Sequence, residues 1–227
     1  MIPENRTPHL PSDYDDKIRK TIPYYDSIHL ETMNLLRSLD RPPSTWLDTG
    51  CGTGALVKRA LDIFPNTRFV LVDPSASMLN VASKRLGSEG RAKILDPMAT
   101  QELPGRVKGP FDVITAIQCH HYLSRDERTL AVKACSDLLG PGGALVTFEN
   151  IRPLTLDGVA VGKRNWERFL VENGRTPEEA AAHGGRFDTE YFPITVEEHL
   201  DLLRRTGFRT VEMLWYSYMQ AGFYCLK

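Results

Sequence analysis

Apolar residues recur along this chain in two alternating rhythms. Between Tyr14 and Leu39, Ile18, Ile22, Tyr25 and Ile28 stand near the spacing of one helical face. Pro23 interrupts that face, because its ring removes a backbone donor and crowds the preceding turn. Arg41-Pro42-Pro43 closes the segment. From Thr45 the pattern becomes strand, helix, strand. Thr45–Asp48, Phe69–Val72, Lys93–Leu95, Phe111–Ile117 and Ala144–Phe148 read as five short apolar strands. Helices are predicted between them over 54–64, through Met78 to Leu86, and over 125–139. The last is stopped by Gly140-Pro141-Gly142-Gly143. Continuous apolar strands separated by helices predict an α/β fold, a parallel sheet covered on both faces.

After Asn150 the rhythm changes. Trp166–Asn173 and Pro177–His183 read as helices of an insertion, and Val196–Thr206 as a further helix. Arg209–Trp215 and Gly222–Leu226 read as two closing strands. The whole chain, 1–227, is expected to be one domain, with a helical N-terminal cap over 13–40 and a lid-like insertion over 151–192.

Composition narrows the class. Twenty-eight basic residues against 29 acidic ones give a net charge of −1. That leaves no global positive field for a nucleic-acid backbone, so nucleic acid is disfavoured as a partner. No apolar run is long enough for a membrane helix, and Met1–Leu10 lacks a hydrophobic signal core. Cys51, Cys119, Cys135 and Cys225 form no metal-binding or disulfide spacing. No metal, no membrane and a reducing, cytoplasmic setting are the expectations.

The strongest local signal is Leu47-Asp48-Thr49-Gly50-Cys51-Gly52-Thr53-Gly54, between a strand and a helix. Ligands of open parallel sheets bind at such a point. Two cofactors satisfy the string. Gly50, Gly52 and Ala55, with Asp73 about twenty residues on, match a dinucleotide fingerprint. Asp48 preceding Gly50, Gly52 and Gly54 matches an S-adenosylmethionine pattern. A carboxylate repels a pyrophosphate but attracts the amino and sulfonium groups of S-adenosylmethionine, which favours the second.

With Leu71-Val72-Asp73-Pro74-Ser75, Leu95-Asp96-Pro97-Met98 and Leu139-Gly140-Pro141-Gly142-Gly143, the loop resembles the class I S-adenosylmethionine-dependent methyltransferases. The resemblance implies a Rossmann-like, doubly wound, seven-stranded, mostly parallel sheet with a C-terminal antiparallel strand. It also implies S-adenosylmethionine as cofactor and S-adenosylhomocysteine as product. The residues implied to hold the cofactor are Asp48, Gly50, Cys51, Gly52, Asp73 (on the ribose), Pro74, Met78, Asp96 and Pro97 (at the adenine), Ile117 and Gln118. His120 or His121 would face the transfer site as base or donor to the acceptor, although for either one taken singly packing against the next helix is the favoured reading.

Outside the core the chain is similar to carboxy-S-adenosylmethionine synthase and related small-molecule methyltransferases. Ile18–Tyr25 resembles that family's cap, with Tyr25 at the position that reaches the cofactor. Trp166–Asn173 resembles its insertion, and Arg186, followed by Glu190, the Arg that holds a carboxylate. The flanking Gly184-Gly185 predicts a mobile loop there. The expected activity is methyl transfer to a small-molecule acceptor. The alternatives are a carboxy-S-adenosylmethionine synthase-like step serving tRNA wobble-uridine modification, or cofactor binding without catalysis. A homodimer is compatible with either.

Overall fold

The computed structural model describes Thr7 and residues 9–227; the rest of the polar start lies outside the described residues. In chain order the helices are α1 (Tyr14–Arg19), α2 (Tyr25–Arg37), α3 (Ala55–Ile63), α4 (Ala76–Leu86), α5 (Arg125–Leu138), α6 (Leu156–Glu172), α7 (Pro177–Gly185) and α8 (Val196–Arg205). The strands are β1 (Thr45–Thr49), β2 (Arg68–Val72), β3 (Ala92–Ile94), β4 (Phe111–Ile117), β5 (Leu139–Asn150), β6 (Thr210–Ser217) and β7 (Gln220–Leu226). They form one seven-stranded sheet in the order β3-β2-β1-β4-β5-β7-β6. β7 alone runs antiparallel to both of its neighbours. The expected doubly wound α/β sheet is the observed one.

Strand side chains alternate between faces with period two, which divides the core into two clusters. Trp46, Phe69, Leu71, Val113, Val146 and Phe148 pack with α2, α3, α4, α6 and α7. Leu47, Val72, Ile114, Leu145 and Phe223 pack with α5 and α8. Cap and insertion therefore share one face of the sheet. The strand order reverses between β1 and β4, so the loops after those two strands open a crevice at the sheet's carboxyl edge.

Three expectations change. Gly140-Pro141-Gly142-Gly143 does not end a helix in a loop; β5 already begins at Leu139. The glycines are absorbed as an irregularity opposite Phe111–Val113, where Gly143 sits 3.1 Å from the Phe111 carbonyl at its would-be Cβ. The first insertion helix starts ten residues before Trp166, capped by the Thr155 hydroxyl on Gly158 N–H at 3.0 Å. Its exposed Leu156 and Val161 and its two glycines blur the apolar face in sequence. Finally, Gly184 and Gly185 end α7 rather than forming a loop. A side chain at Gly184 would meet the Glu167 carboxylate at 2.5 Å, so the small residue lets α7 lie close to α6.

Candidate active site

The glycine loop follows β1 because Gly50, Gly52 and Gly54 each carry positive φ, at 66°, 53° and 73°. L side chains rarely adopt that region. A Cβ on Gly50 would lie 2.5 Å from that of Cys119, whereas one on Gly52 meets nothing within 4 Å. Gly50 is thus required by the packing of two loops, and Gly52 faces open space. Asp73, just after β2, accepts the Gly52 and Ser75 N–H groups, both at 2.9 Å. Ser75 in turn caps α4 through Met78 N–H. Asp73 therefore fixes the loop's shape, and its oxygens keep lone pairs free for a ligand.

Two small cavities meet at the crevice, and Tyr14 lines both. The first is bounded by Tyr14, Tyr25, His29, Asp48, Gly50, Cys51, Gly52 and Ile117. Asp48 is 2% exposed; its Oδ1 accepts the Thr115 hydroxyl at 2.6 Å, and its Oδ2 is buried without a partner. Burial, and to a smaller degree the Asp73 charge, pushes the Asp48 carboxyl up to about 7 against the opposing Thr115 hydrogen bond. Of the remaining cofactor candidates, Pro74, Asp96 and Pro97 are exposed at the ends of β2 and β3, and Met78 is buried in α4. None of these four lines either cavity.

The second cavity is bounded in part by Gln118, His121, Tyr122, Asn150, His183, Arg186 and Tyr191. Gln118 follows β4 with φ 55°, and its Nε2 is buried without a partner. The histidine pair occupies a tight turn whose backbone N–H groups both donate to Glu149, at 3.1 and 2.9 Å. The two side chains then part. His121 Nδ1 lies 2.7 Å from Glu149 Oε2, and its ring borders the cavity. His120 points away into the core, with Nε2 3.1 Å from the Thr100 hydroxyl. Burial holds His120 down at about 4, hence neutral.

Glu149 is fully buried at the end of β5 and also accepts the Thr147 hydroxyl. Burial opposes its ionisation, but the hydrogen bond to His121 leads the interactions that outweigh it and hold it at about 2. Sequence reasoning passed over Glu149, although it ends a buried strand as Asp48 and Asp73 nearly do. Tyr14 is legible in the sequence only as one end of the cap expected over the acceptor, and Asn150, His183 and Tyr191 are passed over. They come from the cap, the β5 end and the insertion, whose meeting is tertiary. Arg186 closes α7 with its side chain 11% exposed, its Nε 2.7 Å from Glu190 Oε2 and its guanidinium over the Tyr191 ring. Cys119 donates its thiol to the Thr49 carbonyl, and burial raises its pKa, so it is no nucleophile.

Residues 47–145 match the family described as a methyltransferase domain. The fold and this match resemble those of the class I S-adenosylmethionine-dependent methyltransferases. A carboxy-S-adenosyl-L-methionine synthase of Staphylococcus epidermidis is 21% identical over 208 residues, 91% of this chain and 89% of its own. An uncharacterised methyltransferase of Geobacillus kaustophilus is 34% identical over 133 residues, 59% of this chain and 56% of its own. Among solved structures, the N-methyltransferase NodS of Bradyrhizobium japonicum, in complex with S-adenosyl-L-homocysteine, superposes with a TM-score of 0.65. It is 14% identical, over 96% of this chain and 94% of that one.

The residues present fit the cofactor of this class. An unpartnered buried carboxylate oxygen on Asp48, with Asp73 nearby, suits a cationic ligand and disfavours a pyrophosphate. The open space at Gly52 leaves room for a ligand against the backbone.

Proposed function

We propose that this enzyme transfers the methyl group of S-adenosylmethionine to a small-molecule acceptor that enters at the second cavity, which, at about 20 Å³, widens by movement of the cap and insertion to admit it. The cofactor, when bound, supplies an activated methyl group on a sulfonium leaving group. Asp48, Gly50, Gly52, Gln118 and Tyr25 would hold its amino-acid end, and Asp73, Asp96 and Pro97 its nucleoside. The chain's own work is to position the acceptor and exclude water. Tyr14 of the cap and Tyr191 with His183 of the insertion close the cavity from above.

The observation that carries the reading is the His121–Glu149 pair. The Glu149 carboxylate, 2.7 Å from Nδ1, orients the His121 ring at the border of the cavity, where its Nε2 would serve as the base. Such a pair removes a proton from a hydroxyl or amine acceptor as the methyl group arrives. The test is production of S-adenosylhomocysteine with a panel of phenols, amines and carboxylates. His121→Gln is expected to lower kcat on the accepted substrate by about 10²–10⁴, with S-adenosylhomocysteine affinity unchanged. Unaltered kcat would remove His121 from the chemistry.

A second reading is favoured by Arg186 in the same cavity, together with the synthases that match nine-tenths of the chain. A guanidinium there suits a carboxylate on the cofactor, as carboxy-S-adenosylmethionine formation in support of tRNA wobble-uridine modification would require. Affinities of S-adenosylmethionine and its carboxylated form for wild type and Arg186→Ala separate the two. A preference for the carboxylated form that Arg186→Ala abolishes supports the synthase. Equal affinity in all four combinations excludes it.

A further inference from the structure

On the sheet face opposite the cap, α5 and α8 leave between them a cleft of about 600 Å³. Arg125, Lys133 and Arg205 line it, with Asp126 as the acidic member and Thr129 and Thr206 contributing hydroxyls. A smaller cavity of about 40 Å³, sharing Arg125, Thr129, Leu202 and Arg205, continues toward Arg128 and Glu198. Lys133 is neutralised by Asp137 at 2.7 Å, and Glu198 is occupied by the Thr195 N–H of its own helix cap. Among the described residues, no carboxylate lies within ion-pair distance of Arg125 or Arg205.

Helix stability accounts for Arg205, which closes α8 at its negative end and donates its Nε to the Asp201 carbonyl at 3.2 Å, but not for Arg125. Arg125 is the first residue of α5, where the positive end of the helix dipole disfavours a basic side chain. Arg128, one turn on, is 2% exposed, and its guanidinium bonds only carbonyls: His120 at 3.1 Å, Leu123 at 3.2 Å and Phe192 at 2.5 Å. A buried positive charge without a carboxylate in contact is costly. Here its field, offset in part by Glu149 and Glu198, adds to the guanidinium groups of Arg125 and Arg205 around one cleft, which the N-terminus of α5 and the C-terminus of α8 both line. The chain as a whole carries −1, so the concentration is local.

We propose that the α5–α8 cleft is an oxyanion site that takes a phosphate-bearing small molecule, separate from the cofactor crevice. Guanidinium groups from two helices match the spread oxygens of a phosphate ester or diphosphate, and the cleft is of the size small ligands occupy. Arg128 joins its floor to the turn that carries His121.

The test uses pyrophosphate as probe, titrated into protein saturated with S-adenosylhomocysteine so that the crevice is filled. Saturable binding near about 1 mM or tighter is expected at low ionic strength, weakening with added salt. Amide shifts should concentrate in 124–133 and 198–206. The double variant Arg125→Ala/Arg205→Ala, both exposed positions, should bind at least about tenfold more weakly with an unchanged melting temperature. Absence of saturation, equal binding by the variant, or shifts confined to the glycine loop would each overturn the proposal.

Discussion

Asp48 is the residue whose environment says most about the ligand. Its pKa near 7 stands above the value near 4 of an unfolded aspartate. The unfolded chain therefore loses that proton first, and ionisation costs stability progressively from about pH 4 to pH 7, in full above. A cation arriving beside it favours the ionised form. Binding of S-adenosylhomocysteine near pH 6 is thus expected to release protons. Calorimetry in two buffers of different ionisation heat should detect this, and Asp48→Asn should abolish it. No buffer dependence in wild type would mean that Asp48 is not at the cationic end of the ligand. Asp48 was legible in the sequence because it precedes the glycines at a strand end. Glu149 was not, because its importance comes from the two histidine N–H groups and the His121 ring that fold onto it. Local sequence offered both histidines as candidates, and only the turn's direction separates them.

At the scale of elements, the strands and the helices between them could be read from periodicity to within a few residues. The kink at Pro23 is real: α1 ends at Arg19, and Tyr24 has φ 57° before α2 begins. What periodicity could not show is how the cap and the insertion hold each other. Trp166 of α6, 3% exposed, donates its indole N–H to the Thr21 carbonyl at 2.7 Å. Asp15 of α1 pairs with Arg85 of α4 and accepts the Thr53 hydroxyl of the glycine loop at 2.7 Å. The cap is thereby tied to both the insertion and the cofactor loop. Trp166→Ala is expected to cost about 3–5 kcal/mol locally. Hydrogen exchange should rise over 14–25 and α7 while β1 and β4 stay protected. A uniform rise across the sheet would show that cap and insertion are not a separate cooperative unit.

For the whole molecule, buried histidines set the acid limit. Burial lowers His29 and His120 to about 4, and His183 and His199 to about 3. Their unfolded values lie near 6.5, so below that pH the unfolded chain binds protons the native state refuses. Stability is expected to fall as pH drops from about 6.5 toward 4, against the weaker opposite trend from Asp48. The urea midpoint should be clearly lower at pH 5 than at pH 7, and equal midpoints would contradict this burial. Among the described residues no helix is long and apolar enough to cross a membrane.

The central claim is that the crevice at the β1–β4 switch takes S-adenosylmethionine, and calorimetric titration of the purified protein tests it most directly. S-adenosylhomocysteine is expected to bind at micromolar affinity, about −8 kcal/mol, and NAD not to bind. Binding of NAD without binding of S-adenosylhomocysteine would contradict the account.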